Sequence, residues 1–98
     1  MIVRLSDEAE RDLERIGDHI ARDSRARALG FLEQLRAKCL GLAEFPERFP
    51  LVSRYEDFGV RHQAHGNYLI FYRVEAEEVV VLHVLHGAMD YSAILFPD

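Results

Sequence analysis

Four residues in the second half of the chain have the chemical types needed to cleave RNA. Attack by the RNA's own 2′-hydroxyl requires a base, an acid and a cation for the crowded phosphate charge. His86 could serve as the acid or base, Arg61 and Arg73 could clamp the phosphate, and the set is completed by Tyr91. The more ordinary interpretation is that Arg73 and His86 hydrogen-bond across a sheet and hold its end, since polar residues at strand ends are usually satisfied in this way.

The histidines do not have the spacing of a metal site. His62 and His65 are three residues apart, and so are His83 and His86. In a strand that spacing points the two rings to opposite faces, so neither pair chelates without a bulge. The chain also lacks the glycine-rich run of a phosphate loop, and we expect neither a metal nor any other cofactor.

Composition and charge predict one soluble domain covering residues 1–98. The net charge is −5, and residues 51–98 contain three arginines against seven acidic residues. A protein that binds nucleic acid directly normally has a basic excess, so sequence-specific nucleic-acid binding is not expected. The single Cys39, the short apolar N-terminus and the lack of a long apolar run favour a cytoplasmic protein with no membrane contact.

Residues 67–90 predict a β-hairpin around which the rest of the chain is organised. Two runs rich in β-branched and aromatic residues flank the loop at residues 75–78. Strict alternation places Val79, Val81, His83 and Leu85 on one face of the second strand, and Val80, Leu82, Val84 and His86 on the other. Both faces are largely apolar, so this hairpin needs cover on two sides.

The first half of the chain predicts a strand and two helices. Ile2, Val3 and Leu5 form the strand, and Ser6 caps a helix whose apolar stripe is Ala9, Leu13, Ile16 and Ile20. Asp23 and Ser24 cap a second helix that is more apolar, and we expect it to be the more buried of the two. Gly17 permits the two helices to pack closely as an antiparallel hairpin.

Prolines end the second helix and begin an apolar connector over residues 45–58. A strand at residues 59–65 and a turn at Gly66-Asn67 then lead into the hairpin. Residues 91–96 form either one helical turn or a tail that folds back on the sheet. The prediction is an α+β fold in the order β-α-α-β-β-β, with the helical hairpin on one face of a small, mostly antiparallel sheet whose other face this chain does not fully cover. The order of strands within the sheet stays open.

Four segments carry a resemblance to a known family. They are Leu5-Ser6 before an acidic helix, residues 42–46 (LAEFP), residues 68–74 (YLIFYRV) and residues 84–90 (VLHGAMD). The last two, in this order near the end of a chain of this length, are fairly specific together. Over nearly its whole length the chain resembles the ParE/RelE superfamily of bacterial type II toxins, and it resembles the ParE branch most.

Resemblance to ParE implies a toxin that traps DNA gyrase on cleaved DNA and blocks replication without catalysing a reaction itself. It also implies neutralisation by a co-expressed ParD-like antitoxin. ParE proteins typically carry an arginine at or next to the position of Ala88 or Met89, and this chain has none there. A charge-based role for that turn therefore does not carry over.

Two alternatives stay open on the same fold. The RelE branch consists of ribosome-dependent messenger-RNA endonucleases, for which Arg61, Arg73, His86 and Tyr91 would form the site. Those enzymes place several basic residues on the sheet, whereas the only lysine here, Lys38, lies on the second helix. The other alternative is a non-toxic protein-binding module.

An antitoxin contact surface can also be predicted from the residues. The apolar connector, the two-sided hairpin and the open edge of a small sheet together suggest a docking groove. An antitoxin could lay an amphipathic helix across the helical hairpin and add a strand to the sheet edge. The predicted contacts are Phe49, Tyr55, Phe58 and Arg61.

Overall fold

The computed structural model describes residues 1–97 and contains the predicted elements in the predicted order. Strand β1 spans Ile2–Leu5, helix α1 Asp7–Ala21 and helix α2 Arg25–Gly41. Strands β2, β3 and β4 span Val60–His65, Tyr68–Val74 and Glu78–His86, and a short helix α3 spans Tyr91–Leu95. One turn of 3-10 helix, Glu56–Phe58, lies just before β2. The α+β class is confirmed.

The four strands form one mixed sheet in the order β1-β4-β3-β2. β3 pairs antiparallel with both β2 and β4, whereas β1 runs parallel to β4. The first and last strands of the chain are therefore neighbours, and the sheet is mostly antiparallel, as predicted. Helix α1 packs on one side of this sheet, which we call the helix face.

A β-bulge interrupts β4 and changes which side chains share a face. Phe71 pairs with His83 and Tyr72 with Val81, so Leu82 has no partner on β3. The extra residue shifts the alternation by one position. Val84 consequently joins Val79 and Val81 in the core of the helix face, while Leu85 packs on the opposite side. The predicted alternation was wrong beyond Leu82 for this reason.

Helix α1 is bonded to the bulge at three backbone groups. The Ser6 hydroxyl accepts a hydrogen bond from the Ala9 amide (3.0 Å) and donates one to the Leu82 carbonyl (2.9 Å). The Ser6 amide donates to the Val81 carbonyl (2.9 Å). Oδ2 of Asp12 accepts from the Val84 amide at 2.9 Å. Backbone groups of β4 at and beside the bulge thus find partners on α1 and on its N-cap residue.

Asp12 is the buried charge of the domain and was not predicted from the sequence. Its side chain is 2% exposed, and its Oδ2 also accepts from Nδ1 of His83 at 2.8 Å. Arg15 donates to the other oxygen, Oδ1, at 2.9 Å. Asp12 lies on the apolar stripe of α1, between Ala9 and Ile16, and an acidic residue in that position was the available signal.

The two helices pack closely, but the more apolar one is not the more buried one. A Cβ on Gly17 would lie 2.8 Å from Cδ1 of Leu32, so the predicted close approach is confirmed. Leu29 and Leu40 of α2 are 64% and 61% exposed. The expectation that α2 is the more buried helix was therefore wrong. Three residues of α2 are buried against five of the shorter α1, because the apolar residues of α2 are spread around the helix rather than gathered on one side.

The second side of the sheet is covered by two later segments of the same chain. We call it the connector face, because Val52 and Tyr55 of the connector (residues 45–58) pack there together with the tail (residues 91–96). Phe71 and Leu85 at its centre are 0% and 2% exposed. The tail forms a helical turn and also folds back on the sheet, so the chain covers more of this face than the sequence indicated.

Removing the Asp12 carboxylate should destabilise the whole domain. Asp12→Ala leaves the Val84 amide and the His83 ring without their buried acceptor, and we expect a loss of about 3 kcal/mol in the free energy of unfolding. Urea denaturation followed by circular dichroism measures this loss. The matched control is Asp18→Ala, at an exposed position of the same helix, and equal stability of the two variants would contradict the role given to Asp12.

Stability should also fall as the pH is lowered through the ordinary range of histidine. Burial lowers the pKa values of His62 and His65, so the unfolded chain binds protons more readily than the folded one. Between about pH 7.5 and pH 5.5 the folded state should therefore lose stability. In thermal melts, His62→Gln should reduce the fall in Tm between these two pH values. A fall in Tm equal to that of the unmodified chain would contradict the role given to His62.

Candidate protein-binding site

The connector is fastened to the sheet by side chains of β2 and β3. One guanidinium nitrogen of Arg61 donates to the carbonyls of Glu47 (3.0 Å) and Phe49 (2.7 Å). The Tyr72 hydroxyl donates to the Pro46 carbonyl. The Tyr72 side chain is fully buried, and this burial raises its pKa. These bonds fix the path of a segment that has little regular structure of its own.

Two of the predicted contacts, Arg61 and Phe49, are therefore engaged within the chain. The Arg61 side chain is 20% exposed, and its second terminal nitrogen lies 3.9 Å from the Glu47 carboxylate. Phe49 is half-buried against the core of the helix face, with the guanidinium of Arg48 lying 4.7 Å from the centre of its ring. Both residues therefore have a structural role within the chain: Arg61 holds the connector through hydrogen bonds, and Phe49 holds it through packing.

The other two predicted contacts, Tyr55 and Phe58, lie on the connector face with a third aromatic residue. Tyr55 stacks on Phe96 with the ring centres 4.1 Å apart, and Phe58 lies 4.9 Å from Phe96. We call these three residues the aromatic patch. Phe58 is 57% exposed and is the most accessible of the predicted contacts. The contribution of Phe96 was not predicted, because it comes from the tail.

The predicted contacts thus form two pairs on opposite sides of the edge strand β2. Arg61 and Phe49 lie on the side of the helix face, and Tyr55 and Phe58 lie on the side of the connector face. The outer edge of β2 is itself partly covered: the Val52 amide donates to the Val60 carbonyl (2.8 Å), and the His62 amide donates to the connector. Further along, the Lys38 ammonium donates to the Ala64 carbonyl at 3.2 Å. The more open edge of the sheet is β1, where Ile2 is 71% exposed.

The four residues considered for RNA cleavage are not brought together. Arg61 lies on the same side of the sheet as Tyr72, with which it pairs across β2 and β3. Arg73 pairs with Val80 near the hairpin loop, whereas His86 lies six residues further along β4. Six strand residues span about 20 Å. Tyr91 packs on the connector face with its ring 5.0 Å from that of Phe71.

Arg73 and His86 have separate partners. Two nitrogens of Arg73 donate to the Glu75 carboxylate at 3.3 and 3.1 Å. Nδ1 of His86 accepts a hydrogen bond from the Ala88 amide at 3.1 Å, and its ring meets that of Tyr68 edge-on at 5.3 Å. The predicted hydrogen bond between Arg73 and His86 is therefore wrong, because Arg73 on β3 lies opposite Val80, at the other end of the β3–β4 hairpin from His86.

Other chemical features of the site are limited. Within residues 1–97, no three His, Cys, Asp or Glu side chains are grouped so that they could hold a metal ion. Cys39 is fully buried, and burial raises the pKa of its thiol to about 11.

No helix in the described part of the chain is long and apolar enough to cross a membrane.

Two solved structures resemble the fold described above. The chromosomal ParDE toxin-antitoxin system from P. aeruginosa contains a chain that is 20% identical, with a TM-score of 0.73 over 88% of this chain and 95% of that one. The toxin-antitoxin complex RelBE2 from Mycobacterium tuberculosis contains one that is 26% identical, with a TM-score of 0.64 over 87% of this chain and 95% of that one.

Comparison with family models gives the more specific result. No curated protein gives a significant match. The model of the "ParE toxin of type II toxin-antitoxin system, parDE" matches residues 3–91, which is nearly the whole chain and includes the helical hairpin, the connector and all four strands. The chain belongs to the ParE toxin family of type II toxin-antitoxin systems.

Proposed function

We propose that this ParE-family toxin inhibits DNA gyrase by binding rather than by catalysis, and that a ParD-like antitoxin neutralises it by direct contact. The match to the ParE family over residues 3–91 carries the proposal. The scattered positions of Arg61, Arg73, His86 and Tyr91 agree with it, because acid, base and cation must converge on one phosphate to cleave RNA.

A poison that acts by binding needs a surface held in one shape. The bonds from α1 to the bulge of β4 and from the connector to β2 and β3 provide such a scaffold. Apolar side chains remain exposed on this scaffold, among them Leu29 and Leu40 of α2, Phe45 and Phe58. Apolar side chains that share one side of an exposed helix can form a contiguous patch, and such patches are typical of contacts with other proteins.

For the antitoxin we propose contacts with the outer face of α2 and the open edge of β1. Leu29 and Leu40 are eleven residues apart, so they lie on the same side of α2 about 16 Å from each other. An amphipathic helix can cover both, and a following strand can pair with β1, which has a partner on one side only within residues 1–97. We retain Phe49, Tyr55, Phe58 and Arg61 as contacts, with Phe58 the most accessible.

Purified protein should abolish DNA supercoiling by gyrase and accumulate cleaved DNA, while leaving messenger RNA on translating ribosomes intact. Tyr91→Phe removes the only hydroxyl of the RNA-cleaving set and keeps the ring on Phe71, so it should inhibit gyrase as the unmodified chain does. Supercoiling assays and ribosome-dependent RNA cleavage on one preparation measure both activities. Cut RNA with normal supercoiling would overturn the proposal, and inactivity in both assays would favour a binding module.

A charge placed on the exposed apolar side chains should weaken antitoxin binding. We expect Leu40→Glu and Phe58→Glu each to raise the Kd for the ParD-like antitoxin by about tenfold or more, since a buried carboxylate would lose its hydration. Gln34→Glu, at an exposed position of α2, is the control with the same added charge. Titration calorimetry gives the three values. Unchanged affinity for both apolar variants would mean that the antitoxin docks elsewhere.

A further inference from the structure

A groove at the end of the sheet where α1 terminates lies away from the aromatic patch and from the outer face of α2. It consists of two adjoining concavities of about 300 and 360 Å³ that share His19, Tyr68 and His86. We call it the Tyr68 groove. Its floor is aromatic, because the Tyr68 ring lies 5.6 Å from that of Phe31 and 5.3 Å from that of His86.

The charge of the Tyr68 groove is opposite to that of the chain as a whole. The protein carries 17 acidic residues and a net charge of −5, yet the residues lining both concavities include no Asp or Glu. Two arginines stand at its rim, Arg15 beside one concavity and Arg27 beside the other. An anionic ligand therefore meets no carboxylate on the groove wall, and it meets a cation at either end.

Both arginines can reach a ligand. The Arg15 side chain is 65% exposed and uses one terminal nitrogen to bond Asp12, which holds its stem in place and leaves other N–H groups free. Arg27 is exposed, and its side chain makes no hydrogen bond or ion pair within the described residues. Its backbone amide caps α2 through Ser24, so a change of the side chain leaves the cap intact.

Apolar side chains fill the rest of the wall. Met89 and the nearly buried Ile16, Val84 and Leu85 line the first concavity, and Ile20 lines the second. Met89 is 41% exposed and unbranched, so it can adapt to different side chains. A ligand that fits this wall combines one or two apolar groups with carboxylates placed on either side of them.

We propose that the Tyr68 groove binds a short acidic peptide segment of a partner protein. An aromatic or aliphatic side chain of that segment lies against Tyr68 and α1, and flanking carboxylates pair with Arg15 and Arg27. The arginines suit this task because a guanidinium binds a carboxylate through two parallel hydrogen bonds. This inference goes beyond inhibition of gyrase and does not depend on it.

A peptide partner agrees better with the charges than a nucleic acid. Phosphate backbones carry one charge per nucleotide, and binding them usually takes many cations. The Tyr68 groove offers two arginines on a protein of net charge −5, so a longer polyanion would be repelled beyond the groove. A short peptide with a few carboxylates stays within the groove, so it interacts with the two arginines and not with the acidic surface beyond them.

The test uses the full chain and arrayed octapeptides. Each acidic peptide contains two apolar residues chosen from Leu, Phe and Tyr, and the array covers every spacing between the two. Asp or Glu flanks them on both sides. In a matched control peptide, Asn replaces each Asp and Gln replaces each Glu. We expect the best acidic peptides to bind about fivefold more tightly than their counterparts at low salt. This preference should shrink in 0.5 M salt, where charges are screened.

Amide chemical shifts should then map the best peptide to the groove. Arg27→Gln should weaken its binding about threefold, whereas the control Arg25→Gln removes the same charge from the first turn of α2 outside the groove and should have no effect. His19→Glu places a carboxylate between the two concavities and should weaken binding about tenfold. Far-ultraviolet circular dichroism checks that each variant is folded.

Several outcomes would overturn the proposal. These are equal binding of acidic and amide peptides, equal effects of Arg27→Gln and Arg25→Gln, and shifts confined to other surfaces. Tighter binding of a single-stranded oligonucleotide of eight thymidines than of any acidic peptide would also reject it in favour of nucleic acid. Gyrase is absent from every arm, so failure here is distinguishable from failure of the gyrase proposal.

Discussion

The carboxylate of Asp12 lies between α1 and the bulge of β4, and the arrangement of both layers depends on it. It accepts hydrogen bonds from the Val84 amide and the His83 ring while Arg15 pairs with its second oxygen. A bulge leaves backbone groups without partners in the ladder, and a buried amide without an acceptor is costly. Asp12 on α1 and Ser6 at its N-cap bond backbone groups of β4 at and beside the bulge, so the position of α1 on the sheet is fixed by polar contacts as well as by apolar packing.

This contact also determines which side chains face which layer. The bulge moves Val84 to the helix face and Leu85 to the connector face, and each then completes a different apolar cluster. The two faces are closed by different means. A helical hairpin covers one face, whereas the connector and the tail cover the other. Arg61 and Tyr72 hold the connector, and the stacking of Tyr55 on Phe96 joins it to the tail.

Because both faces of the sheet are covered, the surfaces accessible to a partner protein lie at the outside of the covering segments and at the sheet edges. The accessible features are the outer side of α2, the edge of β1, the aromatic patch and the Tyr68 groove. These surfaces are formed by different sets of residues. Such a distribution suits a member of the ParE toxin family, since a toxin of a toxin-antitoxin pair must meet both an antitoxin and a target.

Local patterns in the sequence determined the elements of this protein. The caps at Ser6 and Ser24, the apolar stripe of α1 and the β-branched runs of the hairpin each depend on neighbouring residues, which is why the element order was predicted correctly. The same is true of Gly17, whose lack of a side chain already indicated close packing of the helices. The family, too, was recognisable from short segments of sequence.

Only the tertiary structure decided how those elements combine. The His83 and Val84 partners of Asp12 and the pairing of β1 with β4 join residues more than seventy positions apart, and the bulge at Leu82 is a property of the pairing between β3 and β4. The spacing of residues along the chain carries no information about such distances. For the same reason Arg73 and His86 could be predicted to meet although they lie at opposite ends of the β3–β4 hairpin, and the bonds by which Arg61 holds the connector of its own chain could not be predicted.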